Sequence, residues 1–528
     1  MKNIVILVNG TWNDSGSDNQ ERSLLTNVIW LQDLCVDDKV NQFVWYTDGV
    51  GTGNLLDKAV GGALGFGLSK DICAAYRAVC KIYELGDQIF FFGFSRGAYT
   101  VRTAADMIAE IGLADLKPLN KSEKEEIAFC EDLFAVYRKK KKISDIEDVK
   151  FFNSNTSETV KGSTPIRFVG VWDTVGTAGI PDHYRLLNML DGISKKHNWA
   201  NTQLSPTVAH GRHAVAMDEW RESFVPAFWT TEDGAIANND RIKQLWFSGV
   251  HTDVGGGYEN RDLGNISMAW MAEEAEGQGL ILKENPTRPI PAQRAMGVVN
   301  DSLQSVFKRM WTRPRGIPNV FDPANAELFH PSVIKRYNDP ESPSIPSWSA
   351  EDLAIGKAAE RVAWAKDRWT PLGIFIDPTK TYEIAADGNW KDKNREYDPA
   401  GKWLNQPNTT GLAGYIDFHK IPNALSWLAK RNRDSSQYRR VLGAWRVPSS
   451  KPFMLMGVVA DGRGVRSNAN GILPEAHTQF EIGHGTSIGV GKDVEVKRGG
   501  YLYCFPNDVW SMYSNNSGHM NISITRNA

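Results

Sequence analysis

Residues 89–97 read Ile89-Phe90-Phe91-Phe92-Gly93-Phe94-Ser95-Arg96-Gly97, and Ala98-Tyr99-Thr100-Val101-Arg102-Thr103-Ala104-Ala105 follows. The first half is an apolar run of strand character. The second half has the composition of a helix. Between them lies a Gly-x-Ser-x-Gly pentapeptide. A strand, a tight turn with glycine on both sides of a serine, and then a helix is the context of a nucleophile elbow. The turn forces the serine into an unusual backbone conformation, and only small residues two before and two after it let strand and helix pass closely. Ser95 is therefore expected at the carboxyl edge of a sheet, above a helix N-terminus.

Outward from this stretch, strand-like and helix-like segments alternate through the first 260 residues or so, which predicts an α/β fold with a mainly parallel sheet. Strand candidates are Ile4–Val8, Val44–Tyr46, Ile89–Phe92, Ile166–Trp172 and Gln244–Val250, and residues 70–85 read as a helix. Residues 208–215, holding His210 and His213, also read as a helix, with both histidines in structural roles. The helix over 265–275 reads as core. In open α/β sheets the turns after the strands form the ligand-binding edge.

A serine hydroxyl needs a general base, and the base needs an orienting carboxylate. Val169-Gly170-Val171-Trp172-Asp173 places Asp173 just past a strand, and Trp246-Phe247-Ser248-Gly249-Val250-His251 places His251 just past another. The order Ser, Asp, His is that of α/β-hydrolases. Asp253 is the alternative acid, though two residues from His251 it is better suited to ordering the loop or contacting a cation. His330 precedes a proline in a loop. The oxyanion needs two main-chain donors. Arg96, which follows the nucleophile, and the Gly10-Thr11 turn after the first strand are the candidates.

The bulk numbers fit this reading. The chain has 528 residues, 41% hydrophobic and 23% charged, with a formal net charge of −2. That size accommodates two or three domains, and the charge balance gives no reason to expect a nucleic-acid partner. Five scattered cysteines show neither metal-ligand spacing nor a disulfide framework, which predicts synthesis in a reducing compartment. The apolar opening is too short for a signal peptide and reads as a strand, so the protein is expected to be soluble and made in the cytoplasm. Residues 59–68, Gly-rich and apolar, read equally as a lid that meets acyl chains or as a packed loop and helix start. The run Arg138–Lys142 reads as a solvated helix end rather than a lipid contact.

Five motifs taken together carry a resemblance: Asn9-Gly10-Thr11-Trp12-Asn13, Tyr46–Gly53, Gly93–Ala98, Val171–Gly176 and Gly249–Gly257. Over about residues 1–335 the chain resembles the α/β-hydrolase family of bacterial type VI secretion phospholipase effectors and their uncharacterised relatives. The resemblance implies a Ser95–Asp173–His251 triad, helices on both faces of the sheet and hydrolysis of phospholipid esters at a membrane surface, with no cofactor for catalysis. It also implies secretion into target cells, with a secretion-apparatus protein and an immunity protein as partners. The family usually has Asp-Gly-Thr in the first motif where this chain has Asn9. The main-chain donors survive that change; a role for the carboxylate would not.

After a Pro/Ser-rich linker signal at 339–347 and a helical stretch at 350–368, the pattern from about 371 becomes short alternating strands, an all-β sandwich. The expected division is a catalytic domain over 1–335, a linker and helix over 336–370 and an accessory domain over 371–528. The segment Asn507–Gly518 is dense in oxygen ligands. Asp508, Asn515 and Asn516 with a main-chain carbonyl suit calcium, and an Asn/Ser-rich turn is the alternative reading. From 371 to 526 the chain resembles bacterial calcium-dependent galactose lectins, on Asn507-Asp508-Val509, Tyr513-Ser514-Asn515-Asn516-Ser517-Gly518 and a weaker match at Thr381–Trp390. That resemblance implies that the carbonyl of Met512 completes the calcium site, and that the ligand is a galactose-type sugar. A carbohydrate-binding interaction protein with a vestigial hydrolase domain is the competing function. An amidase or thioesterase would differ only in substrate.

Overall fold

The computed structural model describes residues 1–10, 25–49, 63–119, 122–147, 149–152, 164–175, 202–286, 289–290, 293–303, 311–339, 352–405, 445–468 and 471–528. The chain divides into two units. The first comprises residues 1–304, 326–342 and 464–474; the second comprises 305–325, 343–463 and 475–528.

The first unit is built on six parallel strands: β1 (Asn3–Val8), β2 (Gln42–Thr47), β3 (Gln88–Phe94), β4 (Ile166–Trp172), β5 (Val208–Ala216) and β6 (Ile242–Phe247). They lie in the order β2-β1-β3-β4-β5-β6. A parallel strand buries both faces, so its residues divide between two cores. Ile4, Ile6, Val8 and Phe91 face one cluster, which includes Ile72 and Val79 from α2 (Ala63–Ile82), Val101 and Ile108 from α3 (Arg96–Ile111), and Leu133 from α4 (Glu123–Tyr137). Val5, Leu7, Phe90 and Phe92 face the other, which includes Val28 and Leu31 from α1 (Asn27–Leu34), and Ile266 and Met271 from α6 (Asp262–Glu276). Between β6 and α6 lies a short helix, α5 (His251–Gly255).

Residues 208–216 form strand β5, not the helix expected there. Two of its polar side chains, Arg212 and His213, are buried and paired. Arg212 Nε is 2.6 Å from Glu274, and His213 accepts the Thr174 N–H at 3.1 Å through Nε2 and meets Gln244 Oε1 at 3.2 Å through Nδ1. His330 is the N-cap of α7 (Pro331–Asn338), where it accepts the Ser332 N–H; burial pushes its imidazole down to about 4. Arg138 is the C-cap of α4, and Lys141 pairs with Asp132, as a solvated helix end requires. The start of the Gly-rich stretch 59–68 lies outside the described residues, and from Ala63 onward it is the beginning of α2.

The second unit packs two antiparallel sheets face to face. One is made of β7 (Ala358–Trp364), β9 (Tyr382–Asp392), β10 (Arg395–Tyr397) and β17 (Asn516–Arg526) in the order β10-β9-β17-β7, with β15 (Gly485–Ile488) also paired to β9. The other is made of β8 (Thr370–Ile376), β11 (Leu455–Ala460), β14 (Thr478–Glu481) and β16 (Gly500–Pro506) in the order β14-β11-β16-β8. Ile384, Trp390, Met520, Ile522 and Ile524 of the first sheet and Leu372, Ile374, Leu455, Val459 and Leu502 of the second fill the space between them. The helix expected at 350–368 is instead strand β7 (Ala358–Trp364), paired along β17 (Asn516–Arg526). Alternate residues of β7 are buried, the period-two pattern of a strand.

The hairpin of β12 (Val465–Asn468) and β13 (Gly471–Pro474) groups with the first unit, where Val465 packs with Ala227. No helix among the described residues is long and apolar enough to cross a membrane.

Candidate active site

Ser95 occupies the step between β3 and α3 with φ 58° and ψ −119°. This left-handed backbone costs a non-glycine residue on the order of 1–3 kcal/mol and persists only where the surroundings hold it. The surroundings are visible. A Cβ on Gly93 would stand 2.5 Å from the Gly97 carbonyl oxygen, and one on Gly97 would stand 2.2 Å from the Val8 carbonyl oxygen. The Ser95 N–H donates to the Trp172 carbonyl at 3.0 Å, which ties the elbow to the end of β4.

Asp173 follows at once, also at positive φ (37°) and fully buried. Its N–H donates to the Ala214 carbonyl at 2.7 Å, and its Oδ1 accepts the Ala216 N–H at 2.9 Å. The adjoining strand β5 thus holds both the main chain and the carboxylate of Asp173. Its Oδ2 lies 2.6 Å from Nδ1 of His251. His251 begins α5, just past β6, and is 4% exposed, against 8% for Ser95. An ionised carboxylate can only accept, so Nδ1 carries the proton and Nε2 is left with the lone pair. The Phe94 ring, on the residue before Ser95, lies 4.6 Å from the imidazole centre. Burial pushes the His251 imidazole below its ordinary 6.5, against the opposing pull of Asp173.

Asp253 does not face the imidazole as a second acid. Its carboxylate takes the N–H of Val250 at 2.9 Å, the N–H of Asn300 at 3.1 Å and the Asn300 side-chain amide at 2.6 Å. It orders the loop that presents His251, and burial raises its carboxyl above the ordinary value.

Of the expected oxyanion donors, Arg96 supplies the first N–H of α3, one of the groups a helix start leaves unpaired. Gly10 differs from expectation: its N–H is taken by Asn9 Oδ1 at 2.8 Å. Thr11 lies outside the described residues. Asn9 itself is an organiser of this turn. Its Oδ1 also accepts from the Thr26 hydroxyl at 2.9 Å, and its amide donates to the Tyr46 hydroxyl at 3.2 Å.

In the second unit Asp508 is buried and touches one of its expected partners, Asn516. It accepts the Val509 N–H at 2.6 Å and the Asn516 amide at 2.9 Å, and burial raises its carboxyl to about 7. The Asn515 amide donates to Asp392 at 2.6 Å, and the Met512 carbonyl accepts the Asn515 N–H at 3.3 Å. The side-chain oxygens of Asn515 and Asn516 are both buried without a hydrogen-bond partner.

The family model for the type VI secretion system phospholipase effector Tle1-like catalytic domain matches residues 2–274. The chain belongs to the Tle1-like family. An uncharacterized protein of Saccharomyces cerevisiae is 28% identical over 247 residues, 42% of this chain and 32% of that protein. Among solved structures, an uncharacterized protein from Pseudomonas aeruginosa is 17% identical, with a TM-score of 0.33, over 53% of this chain and 46% of the other. The Tle1 effector bound to the VgrG spike is 19% identical, with a TM-score of 0.28, over 49% of this chain and 51% of the other. The N-terminal domain of EclA, a PllA-like lectin, is 14% identical, with a TM-score of 0.18, over 32% of this chain and 94% of the other. This Tle1-like chain thus spans about a third of the length of the yeast relative and about half of the two larger solved chains.

Sequence reasoning missed the cluster that holds the imidazole from its main-chain side. Glu219 Oε2 accepts the His251 N–H at 3.2 Å and pairs with Arg221 at 2.8 Å. Asp218 accepts the Gly249 N–H at 2.6 Å. The signal was present as Asp218-Glu219-Trp220-Arg221. Once 208–216 is a strand, these residues fall at the same carboxyl edge as Asp173 and His251.

Proposed function

We propose that this Tle1-like chain is a serine ester hydrolase acting on phospholipids, with Ser95 as nucleophile, His251 as general base and Asp173 as the carboxylate that orients it. The observation that carries the reading is the 2.6 Å contact between Asp173 and His251 beside a serine at positive φ. His251 Nε2 takes the hydroxyl proton of Ser95 while Oγ forms a bond to the ester carbonyl carbon. The oxyanion is held by the Arg96 N–H and a donor from the segment after β1. As the carbon–oxygen bond to the leaving alcohol breaks, His251 returns the proton to that oxygen. Water, activated by the same imidazole, then releases the fatty acid from Ser95.

Membership in a phospholipase effector family supports phospholipid as the substrate class, and supports delivery by a type VI apparatus with one of its components as partner. Incubation with phospholipid vesicles tests the reading: the wild type releases fatty acid and lysophospholipid, and Ser95→Ala lowers release by about a thousandfold or more. Undiminished release by Ser95→Ala overturns it. Retention on galactose resin in calcium with no ester turnover by the wild type would favour the interaction protein.

A calcium ion in the second unit is part of the same proposal. Two orphaned buried amide oxygens, Asn515 Oδ1 and Asn516 Oδ1, and a buried carboxylate, Asp508, form an all-oxygen set that suits a hard cation. The Met512 carbonyl would join them. The ion would add positive charge beside Asp508 and so brace the loop.

A further inference from the structure

Glu219 is a carboxylate that accepts from Arg221, Ser302 and His251, and the mechanism above does not use it. Its side chain is fully buried. Oε1 accepts the Arg221 N–H at 2.8 Å, Arg221 Nε at 2.9 Å and the Ser302 hydroxyl at 3.0 Å. Oε2 accepts Arg221 Nη2 at 2.8 Å and the His251 N–H at 3.2 Å. The pair is a bidentate fork, the geometry in which arginine and carboxylate bind most firmly.

Arg221 reaches the same imidazole by another route. Its guanidinium carbon lies 3.6 Å from the centre of the Phe224 ring. That ring meets the His251 ring edge-on, 4.8 Å between centres at 81°. With Phe94 at 4.6 Å, the imidazole is held between two aromatic rings. One of these is pinned by Arg221, and Arg221 is pinned by Glu219.

We propose that Glu219 and Arg221 form a charge-balanced clamp that positions His251 and sets the pH at which it can act as base. The inference rests on the hydrolase reading above. Both are positioning residues. Glu219 fixes the main chain of His251, Arg221 fixes the ring through Phe224, and their opposite charges cancel at the imidazole. The other charged groups about it are Asp173, bonded to Nδ1 from the end of β4, and Asp253 on its own helix, which is spent on Val250 and Asn300. Asp218 holds Gly249. Both members of the clamp act on the protonation of His251, Arg221 against it and Glu219 for it; burial disfavours the charged Arg221 guanidinium, and Glu219 is the chief group that opposes this and holds it charged.

The rate at which a fluorophosphonate labels Ser95, followed against pH with the site read by mass spectrometry, tests this. Glu219→Gln leaves Arg221 unbalanced, so the acid limb moves to lower pH. Arg221→Met leaves Glu219 unbalanced, so it moves to higher pH. Each shift is on the order of one pH unit. Arg221→Lys keeps the charge but loses the fork, so the limb stays while the plateau falls. That variant, with Arg221→Met, carries the test if Glu219→Gln does not fold. Shifts in the same direction, or limbs that stay with the wild type in both charge-removing variants, overturn the proposal. Labelling that persists in Ser95→Ala overturns the hydrolase reading instead, whatever the clamp variants do.

Discussion

Asp173 Oδ2 and His251 Nδ1 are 2.6 Å apart although 78 residues separate them in the chain. Parallel topology makes this contact possible: β4 and β6 end at one edge of the sheet, and the intervening β5 holds Asp173 through Ala214 and Ala216. The carboxylate is fully buried, with Oδ1 on the Ala216 N–H and Oδ2 on the imidazole.

Asp173→Asn keeps the shape and removes the charge. The asparagine can donate to Nδ1, which favours the tautomer with the proton on Nε2, where it cannot act as base. Turnover of a soluble ester should fall by about four orders of magnitude with little change in thermal stability. A loss below tenfold would remove Asp173 from the mechanism.

In the proposed mechanism His251 must be neutral to act as base, and burial lowers its pKa from 6.5. Activity should therefore rise with pH through a midpoint below 6.5 and be flat from there through neutrality. A kcat/KM profile on a non-ionising ester checks this; a midpoint at or above 7 contradicts the burial argument.

Gly97→Ala places a methyl group where the Val8 carbonyl oxygen already lies, 2.2 Å away. Backbone atoms cannot swing aside, so β1 and α3 must part. The expected cost is at least about 1–3 kcal/mol in urea unfolding, together with a loss of labelling at Ser95. An unchanged midpoint would mean that the elbow is looser than its geometry implies.

Asp508 has its folded-state pKa raised from 3.8 to about 7 by burial. A raised carboxyl contributes stability that is complete below about 4 and is lost as pH rises through about 7. Calcium competes with that proton. The calcium-induced rise in Tm of the full chain should be small near pH 5 and grow through pH 7, and Asp508→Asn should reduce it sharply. A shift independent of pH would exclude Asp508 as a ligand.

The strands with uninterrupted apolar runs were legible because a buried parallel strand needs apolar residues on both faces. Strand β5 was not, because His210, Arg212 and His213 interrupt its apolar pattern. In the fold Arg212 and His213 are paired within the interior, with Glu274, Thr174 and Gln244, which no local pattern reveals. Strand β7 was hidden by its alanines and glutamate, good helix formers overruled by pairing with β17. Ser95, Asp173 and His251 could be singled out as candidates because each follows a readable strand. Glu219 and Arg221 follow the one misread, so their place at the site went unseen. The Gly10 amide could not be judged because its partner is the side chain of its own neighbour, Asn9.

The hairpin at 464–474 bears on how this molecule can be divided. A Cβ on Gly464 would meet the Pro226 carbonyl oxygen at 2.9 Å and the Phe228 ring at 3.0 Å, a few residues beyond Phe224. A fragment cut after residue 335 would lose that buttress from beneath the segment leading away from the imidazole. The first unit therefore borrows a piece encoded more than a hundred codons downstream. Gene fusions or truncations that respect only linear order would sever it.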